Sequence, residues 1–150
     1  MVVEKWELVK MPVKDIAQYI LEKNGPMTSM KLQKLVYYSQ AWATVWDDDV
    51  LFDEQVQAWN NGPVVRELWE ANKGKFKITS VEGGNSGLVN DEQRETIERV
   101  LDFYGAKNAQ WLSDLTHMED PWKIAFAQGQ NTEITPQAMS EYYSTIEPVQ

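Results

Sequence analysis

The 150-residue chain is the size of one ordinary domain, so a single core is expected over residues 1–150 and a second has no room. Hydrophobic residues make up 43%, with seven Trp, six Tyr and four Phe, which excludes a disordered chain. A net charge of −9 weighs against binding a phosphate backbone, which needs clustered cations, and the absence of cysteine removes disulfides, thiol nucleophiles and thiolate metal sites together.

The charge is unevenly spread. Up to Lys34 there are six lysines and four acids, net +2, so the remainder carries −11. That asymmetry suits a basic protein partner better than DNA, and it also serves solubility. The opening "MVVEKWELVK" interrupts its apolar pairs with charge, unlike a signal peptide, and no run approaches the ~20 apolar residues of a membrane span. A cytoplasmic protein with no membrane partner is the expectation.

Residues 1–11 read as an N-terminal extension. "PVKDIAQYILEKN" then spaces Val13, Ile16, Ala17, Ile20 and Leu21 as one face of a helix, with Pro12 suited to its first turn and Gly25-Pro26 to its end. A second helix runs from Thr28 or Ser29 to about Trp46, striped by Leu32, Leu35, Val36, Ser39, Trp42, Ala43 and Trp46. Tyr37, Tyr38 and Val45 occupy its other sides, so it is either central or a contact surface. "DDDVLFDEQVQAWNNG" breaks the period and predicts a turn and a short β element near residues 50–60. Pro63 fits the first position of a third helix, capped by Gly62 or Asn61, with Val65, Leu68, Trp69 and Asn72 on one face up to Gly74.

Residues 75–90 hold few large apolar groups and the turn-rich "EGGNSG", predicting a flexible loop with a strand at "FKIT". Asn90 and Gln93 form a capping-box pattern for a fourth helix striped by Ile97, Val100, Leu101 and Tyr104. Asn108 caps a short fifth helix facing Trp111, Leu112 and Leu115 inward. Asp120-Pro121 and Thr135-Pro136 start two more, and Ile134 is placed to clasp Met139 as a hydrophobic staple. The pattern predicts a mainly α, compact single-domain bundle of about seven helices with minor strand content near 50–60 and 75–80.

His117 is the sole histidine, so any catalytic base of a triad would have to be this residue, with Asp114 and Ser113 nearby. No nucleophile elbow accompanies it, and neither a zinc motif, an EF-hand nor a phosphate-binding G-K-[ST] pattern is present. No enzyme, metal or cofactor is expected. His117 instead reads as a brace beyond a helix end, bonding backbone groups at a corner, with Thr116 and Asp120 offering oxygens to the next helix.

Three ordered blocks carry a resemblance: "MKLQKLVYYSQAW" at residues 30–42, "LFDEQVQAWNNGPVVRELWE" at 51–70 and "LTHMEDPWKIAF" at 115–126. Together they resemble the Panacea domain family of SocA-like antitoxins and GepA-like phage-associated proteins, with Leu32, Leu35, Trp42, Thr116, His117, Asp120, Pro121 and Trp122 as motif positions. Asn61 stands where an aromatic often precedes the glycine, and Ala43 where a histidine often follows the tryptophan. The resemblance implies an antitoxin that binds a cognate protein toxin directly and, as in SocA-type members, presents it to a protease or its unfoldase. It implies no autonomous DNA binding, since only about a dozen residues precede the first helix. The rival readings are a phage or mobile-element protein binding a host factor, and a His117-dependent hydrolase. One exposed patch, built from Lys34, Tyr37, Tyr38, Trp59, Gly62, Pro63 and Arg66, is expected to dock the toxin.

Overall fold

The computed structural model describes residues 11–146. The expected N-terminal extension thus lies outside the described residues, apart from Met11. Helix α1 (Val13–Asn24) starts after extended Pro12, where both carboxylate oxygens of Glu54 accept from the Val13 N–H at 3.1 Å. An acid from a distant segment therefore satisfies a helix N-terminus that its own sequence leaves uncapped.

Strand β1 (Met27–Thr28) leads into α2 (Ser29–Trp46), where the Thr28 side chain accepts from the Lys31 N–H. Every residue from 32 to 44 is buried, because α1, the hairpin and four later helices pack around α2. Of the two readings open for a helix apolar on several sides, the central one holds.

The extended element near 50–60 is β2 (Val56–Trp59), which pairs antiparallel with β3 (Gly62–Val65) through the turn residues Asn60 and Asn61. Helix α3 spans only Arg66–Asn72, which corrects the helix start expected at Pro63. Pro63 lies opposite Ala58 in the ladder and Gly62 has φ +118°, far from helical, so hairpin pairing outcompetes the local proline signal.

Strand β4 (Lys77–Ile78) pairs with β1, placing the strand expected in "FKIT" at its two middle residues. The rest of the expected flexible loop is tied to α1. The Val81 N–H donates to Gln18 at 2.8 Å, the Asn85 N–H to Asp15 at 2.8 Å and the Ser86 hydroxyl to Glu22 at 2.8 Å, before a 3₁₀ turn at Ser86–Leu88.

Helix α4 (Asp91–Tyr104) opens with both bonds of the Asn90/Gln93 capping box. Asn108 caps α5 (Ala109–His117) by accepting from the Trp111 N–H. The Trp111 side chain is exposed, however, and Leu115 half-buried, so of the three expected apolar residues only Leu112 is fully inward. Helix α6 (Asp120–Gln128) is followed by β5 (Glu133–Ile134), which completes a sheet of order β3-β2-β5, and by α7 (Pro136–Tyr143), capped by Thr135. Ile134 and Met139 are both in the core. The seven described α-helices, with α2 at their centre and small antiparallel pairs at the edge, make a mainly α domain. Among the described residues no helix is long and apolar enough to cross a membrane.

Candidate functional site

The β2–β3 turn is where distant segments meet. A Cβ built on Gly62 would lie 2.6 Å from Lys34 Cε and 2.9 Å from Thr116 Oγ1, so α2 and α5 close on the turn as tightly as a glycine permits. Ser113 of α5 donates its hydroxyl to the Asn61 carbonyl at 2.7 Å. The Trp122 indole of α6 donates to the Trp59 carbonyl at 2.8 Å. Lys34, the hairpin, Thr116 and Trp122 come from all three sequence blocks and converge on one turn.

Strand β3 is an edge, and two adjacent side chains of α2 seal it. Gln33 acts as a surrogate strand: its amide oxygen accepts from the Val65 N–H at 2.9 Å and its amide nitrogen donates to the Val65 carbonyl at 3.2 Å. Lys34 Nζ donates to the Pro63 carbonyl at 3.4 Å. This arrangement satisfies backbone groups that an open edge would otherwise offer for further pairing. Gln33 was not picked out from the sequence, where a glutamine between leucines carries no sign of the strand it caps.

Beside the turn lies a cleft of about 380 Å³ lined by α2 residues including Gln33 and Lys34, by Trp59, Asn60, Asn61 and Val64 of the hairpin, by Trp69 of α3 and by Gln130. Trp59 and Trp69 meet edge-to-face at 5.5 Å between ring centroids. Lys34 is 1% exposed and has no acidic partner among the described residues; its burial away from water pushes its pKa down to about 8. The folded chain therefore releases this proton before the unfolded chain does. Its stabilising contribution is complete above the ordinary lysine value of 10.5 and is lost as pH falls through about 8. Lys34→Met is accordingly expected to gain on the wild type in denaturant midpoint as pH drops from about 10 to about 7; parallel profiles would contradict an uncompensated ammonium.

The expected docking patch is corrected by burial. Tyr37 and Tyr38 are buried in the core, because α2 is surrounded on all sides. Lys34, Gly62 and Pro63 are also buried, and of that set only Trp59 and Arg66 reach the surface. Arg66 points elsewhere: it lies 3.9 Å from Glu70 and borders a separate cleft with Met11 and Glu54. The structure thus gathers Lys34, Trp59, Gly62 and Pro63 and separates them from the other three.

Tyr37 and Tyr38 belong to an internal network organised by a residue that the sequence did not single out. The Glu119 carboxylate accepts from the Tyr38 hydroxyl at 2.8 Å and the Tyr143 hydroxyl at 2.7 Å, and the Tyr37 and Tyr143 hydroxyls are 3.0 Å apart. Tyr38 stacks on Tyr104, which in turn accepts from the Trp42 indole at 3.1 Å. Burial raises the Glu119 pKa, partly offset by the two phenol donors, and raises those of all four tyrosines. Leu32, Leu35 and Trp42 complete this core side of α2.

Glu119 also revises the helix corner. It is the N-cap of α6, without a side-chain bond to that helix, and Asp120 is the exposed first residue ahead of buried Pro121, so Asp120 is not the cap. Thr116 donates back to the Ser113 carbonyl at 2.7 Å and so does not cap α6 either. His117 closes α5 instead of lying beyond it. Its ring packs on Trp122 at 4.2 Å between centroids, and its buried Nε2 meets no hydrogen-bond partner among the described residues. The corner is braced by ring contact and not by the backbone bonds expected. Half-buried Trp122 stacks onward onto Phe126. The hydrolase arrangement is not assembled, since Ser113 and Asp114 bond to Asn61 and Gln110 and not to the imidazole.

The model of the antitoxin SocA-like, Panacea domain family matches residues 32–123, more than half of the chain. The chain belongs to this family. No curated protein and no solved structure matches it significantly. The matched Panacea segment begins at Leu32 on the central helix and ends just after Trp122, so it contains the whole Gly62 junction and, apart from Tyr143, the Glu119 network. Membership in the Panacea family supports an antitoxin-like role, implies a protein partner such as a toxin, and favours a non-enzymatic function.

Proposed function

We propose that this Panacea-domain protein is the antitoxin of a toxin–antitoxin pair, neutralising a cognate protein toxin by direct binding at the β2–β3 turn and the cleft beside it. The observation that carries the reading is the family match over residues 32–123, whose three blocks converge on that turn. Trp59 and Trp69 give the cleft aromatic walls, and Gln33 and Lys34 of the central helix line it from the core side. Aromatic anchors in a pocket with a polar rim are the features that dominate binding energy at protein interfaces. The role is non-enzymatic. An adaptor function that presents the toxin to a protease or its unfoldase is the natural extension of this reading.

Affinity purification from the native host, followed by expression of each captured protein alone and together with this chain, tests the proposal. The expected result is one partner that arrests growth by itself and is harmless when the two are co-expressed. A partner whose toxicity persists on co-expression contradicts neutralisation. If the adaptor function also operates, the toxin's half-life shortens when this chain is present; an unchanged half-life restricts the mechanism to sequestration.

A further inference from the structure

The cleft over Lys34 is chemically unlike four others among the described residues. Those four each hold three carboxylates: Asp120, Glu133 and Glu141; Asp48, Asp49 and Asp53; Asp53, Glu54 and Glu67; and Asp47, Asp49 and Glu92. The cleft between Trp59 and Trp69 holds none, and a lysine lies at its base. In a chain of net charge −9, an acid-free concavity over a buried ammonium is a local reversal of the surface rule.

The ammonium is incompletely used. Lys34 Nζ has three N–H donors, and the one bond it makes among the described residues is the long contact at 3.4 Å to the Pro63 carbonyl. Removing an ammonium from water is costly unless an anion compensates, and no described residue supplies one. The surroundings are side-chain amides of Asn60, Asn61 and Gln130 at the rim and two indoles at the walls. Amides hydrogen-bond a carboxylate without competing for it, and indoles cover its methylene stem. A single cation matches a singly charged carboxylate. A phosphate or nucleic-acid strand brings more charge than one lysine neutralises and meets repulsion from the remainder of the surface.

We propose that this cleft receives an acidic side chain, Asp or Glu, of the protein partner, with Lys34 as its counter-ion. The inference rests on the neutralising role proposed above and names the chemistry by which that site recognises its partner. The chain as a whole is acidic and suits a basic partner, so one buried acid at this point specifies register within an otherwise opposite charge pattern.

The chain alone gives the first test. N-acetylglutamate methylamide, its glutamine counterpart and inorganic phosphate are titrated separately while the Trp59 and Trp69 indole resonances are followed by NMR, at a pH well below the Lys34 pKa and constant ionic strength. Saturable shifts with the glutamate compound, absent with the glutamine compound and absent in Lys34→Met, are expected. No saturable shift, shifts unaffected by Lys34→Met, or tighter binding of phosphate would overturn the proposal.

The second test uses the toxin that the wild-type chain neutralises. Lys34→Met is expected to weaken the complex by at least about tenfold. One Asp or Glu of the toxin, changed to its amide, is expected to weaken the wild-type complex equally and to have no further effect on the Lys34→Met complex. This partner-side measurement does not depend on how well the Lys34 variant folds. Failure of the wild type to neutralise any toxin counts against the antitoxin reading, whereas neutralisation that is insensitive to Lys34 and to every acid of the toxin counts against carboxylate recognition alone.

Discussion

Gly62→Ala will destabilise the protein by about 2–5 kcal/mol, the sum of a strained backbone and an overfilled junction. The backbone at φ +118° is one that L side chains rarely adopt, and the added methyl meets Lys34 Cε at 2.6 Å and Thr116 Oγ1 at 2.9 Å. The lysine end can retreat toward the cleft. Thr116 has less freedom, since its hydroxyl is bonded to the Ser113 carbonyl within α5. Gly74→Ala separates the two contributions, because Gly74 has φ +84° but nothing within 4 Å of its added Cβ. Denaturant unfolding of both variants is expected to show the smaller loss, about 1 kcal/mol, at Gly74. Equal losses at the two sites would mean that the three-block junction is not closely packed.

Glu119→Ala will cost about 2–4 kcal/mol at mildly acid pH, by leaving the Tyr38 hydroxyl without its acceptor and a cavity beneath the α5–α6 corner. Tyr143 keeps its contact with Tyr37, which limits the damage. Burial raises the Glu119 pKa in the folded chain, so the folded state holds this proton where the unfolded chain has lost it. Its stabilising contribution is therefore complete below the ordinary value of 4.5 and declines as pH rises through the folded-state pKa. Glu119→Gln keeps an oxygen acceptor for both phenols and cannot ionise. It is expected to fold with near wild-type stability at neutral pH and to fall behind the wild type as the solution is acidified toward pH 5. Midpoints that track the wild type at every pH would show that Glu119 is not the titrating centre of this network.

Both predictions concern residues whose importance was differently visible. Gly62 stands in a recognisable block, and a glycine before proline announces a turn, although the helix that Pro63 advertises starts at Arg66 once β2 captures residues 62–65. Glu119 sits in "LTHMEDPW" between more conspicuous neighbours. Local pattern draws the eye to His117 as a corner brace and to Asp120 as a cap, because the tyrosines that claim Glu119 lie 81 and 24 residues away in sequence. The same blindness placed Tyr37 and Tyr38 on a surface. Helical spacing shows that a helix is apolar on several sides, but not how many neighbours surround it.

What the sequence by itself determined was the class of object: one mainly α domain, the positions of most helices, the Asn90, Asn108 and Thr135 caps, and the family blocks. These depend on contacts within a few residues, where spacing, capping chemistry and proline geometry act directly. The tertiary structure alone decided that Lys34 is buried beneath an acid-free cleft, that Gln33 completes a strand edge, and that Glu119 gathers two phenols. Each depends on which distant segments share a small volume. Burial and the loss of water, which set the charge state and the bonding of such groups, have no local signature along the chain.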